Sequence, residues 1–307
     1  MKLRLTDLAG PVGMGIFMLV VQILSLLLVA PLTDYYDLKA FENPQSVWNP
    51  VFYIVLIILF SAVLLLIIKF NMKWIIQLFM IFAVFSTLIY VLFGMGTMLL
   101  PPPQYGWEII LAASIIISIL LTALMVVYPE WYIVDAVGIM VAAGASALFG
   151  ISLSVIPTII LLVLLAVYDF IAVYKTKHMI KLAEGVMDLK LPILFVLPRK
   201  LSYSYVRSRT QKLEPGKERE AYFMGLGDAV MPTVLAVSAS AFLEAPKVLG
   251  FANVPAIGVI LGTLVSYAVL MYFVMKGKPQ AGLPFLCTGA IAGFLLGCLA
   301  AGINPFF

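Results

Sequence analysis

Charge is what this sequence has least of. Only 11% of its 307 residues are Asp, Glu, Lys or Arg, against about 25% in an ordinary globular domain. Hydrophobic residues make up 64% and the mean hydropathy is +1.12, so the chain reads as a polytopic membrane protein with no room for a soluble domain. Histidine is nearly absent: His178 is the only one, and it follows an apolar segment in a basic stretch. A membrane serine hydrolase of the Ser–His kind therefore has no base, and "GASA" at 144–147 lacks a partner. No H-E-x-x-H is present, so neither a zinc centre nor any other metal or cofactor is expected. The two cysteines, Cys287 and Cys298, share one apolar segment and lie about 16 Å apart along a helix. They cannot pair within it, which excludes a disulfide framework and leaves them as small packing residues.

Apolar sequence is what is there in abundance. The start, "MKLRLTDLAG PVGMGIFMLV VQILSLLLVA PL", has the basic flank of a signal peptide. Its apolar run is longer than the roughly 7–15 residues of a signal h-region, and no A-x-A site follows, so it reads as a retained first helix. Runs bounded by charge, proline or glycine predict helices at 9–33, 51–69, 74–94, 107–128, 131–149, 154–176, 221–243, 254–275 and 282–303. The expected architecture is all-α, with nine transmembrane helices. Three parts follow: six helices in 1–176, a polar connection over 177–220, and three helices in 221–307. The net charge of +4 is concentrated in loops beside spans and is a topology signal instead of a nucleic-acid surface. With nine helices, seventeen of the nineteen lysines and arginines fall on the side of the N-terminus, leaving Lys39 and Lys247 opposite. The N-terminus is then cytoplasmic and the C-terminus outside.

Three carboxylates lie inside apolar segments: Asp135, Asp169 and Asp228. Asp135 follows Trp131 closely in "PEWYIVDAVG", so a short tilt takes it to interfacial water and a structural role is favoured. Asp169 lies near the cytoplasmic end of the sixth helix, and Asp228 is expected about seven residues into the seventh. Both depths come to about 9–12 Å from the cytoplasmic boundary, so the two can meet. An Asp at a helix centre costs about 2.5–3.5 kcal/mol, more than a membrane hydrogen bond averaging about 0.6 kcal/mol returns. Two close carboxylates in a low-dielectric site cannot both ionise and share a proton near neutral pH. Such a pair supplies a base for water and an acid for a scissile carbonyl, with neither metal nor covalent intermediate. Gly225 and Gly227 in "GLGD" fit close approach of another backbone or, equally, helix packing.

The combination of motifs is more specific than any part. "AVYDF" around Tyr168 and Asp169, "GLGDAVMP" around Asp228 and "AGLPFL" at the start of the ninth helix occur in that order. Together they resemble the presenilin and signal peptide peptidase family of intramembrane aspartyl proteases. The resemblance implies that Asp169 and Asp228 are the catalytic pair and that Tyr168, Gly225, Leu226 and Gly227 shape the site. The family's substrate-binding Pro-Ala-Leu motif, usually followed by proline, matches Ala281, Gly282, Leu283 and Pro284; the last two keep it and the first two depart from it. Transmembrane peptides within the lipid bilayer are the implied partners, and a homo-oligomer is left open. Within the family, the lysine and arginine distribution resembles the presenilin orientation, and the compact chain resembles a microbial, archaeal-type homologue in a cell membrane.

Two further readings complete the expectations. "LPILFVLP" at 191–198 is apolar, partly β-branched and bracketed by prolines, which suits an extended segment that an unwound substrate joins by strand addition. A stretch resting in the interface fits equally well. The rival from another class is a channel or secondary transporter that binds protons or cations at Asp169 and Asp228. It predicts polar residues along a pathway, whereas the outer halves "SVIPTIILLVLL" and "TVLAVSASAF" carry no charge.

Overall fold

A computed structural model of the chain describes residues 5–36, 40–70, 72–100, 106–176, 194–199, 203–204, 221–248, 250–275 and 280–305. Nine apolar helices occur among them: α1 (Leu5–Tyr36), α2 (Trp48–Lys69), α3 (Lys73–Leu99), α4 (Trp107–Val127), α5 (Trp131–Ser152), α6 (Val155–Ile171), α7 (Leu226–Phe242), α8 (Val254–Met275) and α9 (Gly282–Ala301). Eight are long and apolar enough to cross a membrane, and α7, with seventeen residues, is shorter. Helices are what such sequence must form, because a bilayer offers no partner for free backbone N–H and C=O groups. All four tryptophans sit at helix starts: Trp48, Trp107 and Trp131 open α2, α4 and α5, and Trp74 is the second residue of α3. Indole rings favour the membrane–water boundary, so they mark where these spans begin.

The layering follows from burial. α2 turns almost all its side chains outward, to lipid, whereas most of α5 is buried inside the bundle. α7 is the hub: α1, α5, α6, α8 and α9 all pack on it, which lets a short helix sit inside the bundle with no lipid to match. Small residues and hydroxyls make that packing close. Ser146 Oγ on α5 donates to the α7 carbonyl of Val230 at 3.3 Å, and Ser25 Oγ on α1 donates to Ala143 O at 3.1 Å. The most extensive helix pair is α8 with α9. A Cβ on Gly258 would run into the carbonyl of Gly293, and one on Gly262 would lie 2.8 Å from Gly293 Cα. The two small-residue faces at 258–262 and 293–297 are therefore in backbone contact, as membrane helices without large side chains allow.

The structure corrects the seventh segment. Ala221–Gly225 is a strand, β2, paired antiparallel with β1, Leu194–Pro198, in a register that sets Val196 opposite Phe223. Tyr222 and Phe223 suit a strand, and an apolar run continuous with α7 hides the change of structure. Asp228 is consequently in the first turn of α7, not seven residues inside it. The extended form expected for 191–198 holds over Leu194–Pro198; 191–193, His178 and most of the 177–220 connection lie outside the described residues. The sixth helix ends at Ile171 and continues as a π-helical turn, Ala172–Thr176. Cys287 and Cys298 are free and buried.

Candidate active site

Both carboxylates converge on the first turn of α9. The N–H of Leu283, one of the donors that a helix start leaves without an internal partner, points at Asp169 Oδ2 at 3.2 Å. One residue earlier, a Cβ on Gly282 would lie 3.1 Å from both oxygens of Asp228. Asp169 and Asp228 thus approach the same turn of α9, and Cys287 lies one turn further along that helix. Asp169 is buried and Asp228 half-buried. Each faces the positive end of a helix dipole: Asp228 lies in the first turn of α7, and Asp169 accepts from the first turn of α9. Such a field favours negative charge beside the helix starts.

Backbone irregularity concentrates here. Pro232, inside α7, has no N–H for the carbonyl four residues before it, which is that of Asp228. The π-helical turn after α6 carries Tyr174, whose hydroxyl donates to Gln280 Oε1 at 2.8 Å and accepts from Ala281 N–H at 3.3 Å. Tyr174 thus ties α6 to the residues that open α9. Such π turns recur at functional sites. Neither this tie nor the proline effect was read from the sequence; Pro232 four residues after Asp228 was the visible signal.

The other sequence-predicted residues fall around this centre. Tyr168 is half-buried beside Asp169 in α6. Leu226 opens α7 and faces Gly138 of α5, joining the core around Phe195 and Met224. A Cβ on Gly227 would meet nothing within 4 Å, and one on Gly225 would make only ordinary contact, 3.7 Å from Asp228 Oδ2. Helix packing thus requires neither glycine, and both leave room beside the carboxylate. Ala281 is buried at the N-cap of α9, and Leu283 packs on the main core. Pro284 sits where a missing N–H costs nothing. It also lines one end of a groove of about 890 Å³ between α8 and α9, which neither aspartate lines. Asp135 is not brought to this centre and does not reach water. It is buried, and its Oδ1 accepts from the backbone N–H of Val196 at 2.8 Å. Among the described residues no group of His, Cys, Asp and Glu could hold a metal ion.

Comparison with known proteins bears on this constellation. The sequence model of the family described as signal-peptide peptidase, presenilin aspartyl protease matches residues 14–303. The chain belongs to that family. Two solved structures of a presenilin family intramembrane aspartate protease, in space groups C222 and P2, share 36% and 38% identity with it. They superpose with TM-scores of 0.66 and 0.67, over 94% of this chain and 98% and 97% of theirs. No curated protein matches. This presenilin-family chain is an integral, multi-pass membrane protein and an intramembrane-cleaving aspartic protease, and membership in the family disfavours the channel reading.

Proposed function

We propose that Asp169 and Asp228 are the catalytic pair and that the protein hydrolyses peptide bonds inside single-span transmembrane substrates. The observation that carries this is the first turn of α9, where Leu283 N–H donates to Asp169 and Gly282, lacking a Cβ, leaves the carboxylate of Asp228 its space. With one proton between them, the ionised aspartate removes a proton from water. The protonated one donates to the scissile carbonyl oxygen, the water oxygen adds to the carbonyl carbon, and the C–N bond breaks as the amine takes up a proton. Gly225 and Gly227 give the substrate backbone room beside Asp228, while Tyr168 and Leu226 shape the walls. Ala281, Gly282, Leu283 and Pro284 form the substrate-binding turn. The proposed orientation keeps the N-terminus cytoplasmic, supported by Lys39 and Lys247 being the only basic residues on the opposite side.

The substrate must be extended to expose a peptide bond, and strand addition is the natural means. The partner edge is not that of β1: Val196 turns its N–H to Asp135, so that edge faces α5. By antiparallel alternation the backbone of Phe223, opposite Val196, faces away from β1, and Phe223 is exposed. The outer edge of β2 leads straight into Gly225 and Asp228.

The test is purified protein with a single-span peptide in bilayers, read by mass spectrometry, with Asp169→Ala and Asp228→Ala alongside. Cuts within the span that vanish in both variants support the pair; cuts that survive in either sink it. Activity should also decline at alkaline pH as the shared proton is lost, because the acid role then has no donor. A flat profile to about pH 10 in the same assay speaks against shared-proton chemistry.

A further inference from the structure

Asp135 is the third carboxylate of the membrane region and has no part in the chemistry above. It is 4% exposed, its Oδ1 accepts from Val196 N–H at 2.8 Å, and its Oδ2 is enclosed with no hydrogen-bond partner among the described residues. A buried acid with one oxygen unpaired is a poor way to stabilise a membrane helix. What it supplies is an acceptor aimed at one backbone N–H of β1, on the edge that β2 does not use. The surroundings turn that bond into a fixed seat. Phe195 lies against Gly138, one turn along α5 from Asp135, where a Cβ would come within 3.3 Å of its ring. Leu197 and Tyr222 close on Gly13 and Gly10 of α1, leaving no space for a side chain at either glycine. Side chains therefore hold the hairpin down on α1 and α5, but apolar contacts allow it to slide. A directional hydrogen bond does not.

We infer that Asp135 is a positioning residue that sets the cleavage register. By locking Val196 to α5 it fixes β1, through the ladder it fixes β2, and Gly225 at the end of β2 delivers Asp228 to the substrate two residues past the start of α7. The inference rests on the reading of Asp228 as catalytic and of β2 as the strand that receives substrate. Loss of the lock should widen the choice of scissile bond and slow the step at Asp228, with little effect on substrate affinity.

Four variants test it on the full chain in bilayers with a single-span peptide. Asp135→Asn keeps the acceptor. Asp135→Leu removes the acceptor, and Val196→Pro removes the donor without touching the β2 ladder, because that N–H faces the other way. The double variant removes both and leaves no buried group unpaired, so it should regain stability. The expected result is that Asp135→Asn cuts at wild-type positions within about threefold of the wild-type rate. The other three should lose about 10- to 100-fold in kcat, with KM within about threefold and cuts spread over neighbouring bonds. If the double variant is stable and cuts at wild-type positions and rate while Asp169→Ala and Asp228→Ala are silent, the inference is overturned and the catalytic pair stands. If those two alanine variants still cut, the reading beneath it fails and the inference goes with it. Should Asp135→Leu not fold, Val196→Pro decides: wild-type cut positions there overturn the inference equally.

Discussion

The two ends of the bundle are held together by different means. At the end remote from the aspartates, side chains complete what the helices leave open. Asn253 Nδ2 donates to Ala239 O and Leu243 O at the close of α7, while its Oδ1 accepts from Ala256 N–H at the start of α8. Ser238 Oγ donates to Leu153 O in the α5–α6 connection, and α8 and α9 touch backbone to backbone. At the aspartate end the helices are left incomplete: α6 loosens into a π turn, α7 begins only after a strand, and α9 gives an N–H to Asp169. One end uses its polar groups to close the fold, and the other turns them toward the two aspartates, where on the proposed reading a peptide backbone enters. In free-energy terms the first end sets stability, and the second leaves backbone groups out of regular structure.

Substitutions should separate the ends cleanly. The largest effect belongs to Asp169→Ala and Asp228→Ala, which should each lower cleavage by at least about 10³-fold while thermal stability stays at or above wild type, since a buried carboxyl is removed. Mass spectrometry of products and a thermal melt on the same preparations check both halves. Next comes the reverse case, Gly293→Leu. Its Cβ would meet the Gly258 carbonyl and lie 2.9 Å from Gly262 Cα, backbone that cannot step aside. Overpacking of this kind costs about 1–3 kcal/mol or more. The melting temperature should fall, and cleavage should fall only in proportion to the folded fraction. Loss of cleavage in a fully folded Gly293→Leu would show that the two ends are coupled.

Gly282→Val brings the comparison to a single turn of α9. The added side chain presses on both oxygens of Asp228, 3.1 Å from the Cβ position, and displaces the carboxylate. A misplacement of about 1 Å can cost about 100-fold, so kcat should drop by roughly that factor while the melt shifts little. A carboxylate able to swing aside would leave kcat unchanged, and the turn would then not position Asp228.

Much of this was legible in the sequence, and the exceptions share a cause. The starts of α5, α8 and α9 fall where the apolar runs at 131–149, 254–275 and 282–303 place them, because a membrane span announces itself by composition, whereas the run at 154–176 extends past the end of α6 at Ile171 into the π turn. That Asp169 and Asp228 approach one another was legible from their place in apolar sequence, where a carboxylate is costly, but the depth of Asp228 was not: it lies in the first turn of α7. β2 was not legible, because a strand that pairs within protein at the membrane boundary has the same apolar composition as the helix it precedes. The burial of Asp135 was missed because its partner, Val196, is sixty-one residues away and no local pattern encodes that distance. Gly282 looked like a departure from a motif; beside Asp228 it is the residue that leaves the carboxylate its space.

The smallest expected effect is the most informative about how loosely the aspartate end is assembled. Tyr174→Phe keeps the ring, which packs on Phe170 with centroids 4.9 Å apart, and deletes only the hydroxyl that links Gln280 and Ala281. The hydroxyl is exposed to solvent in its bond to Gln280, so each bond is worth about 0.5–1.5 kcal/mol at most. The melt should not move. If the tie holds the first turn of α9 at the distance where Leu283 reaches Asp169, its loss should lower kcat roughly two- to tenfold. Gln280→Ala should do the same, and the two together should cost no more than one alone, because both act through one link. Additive losses would mean that Tyr174 and Gln280 work separately and that α9 is positioned by its packing alone.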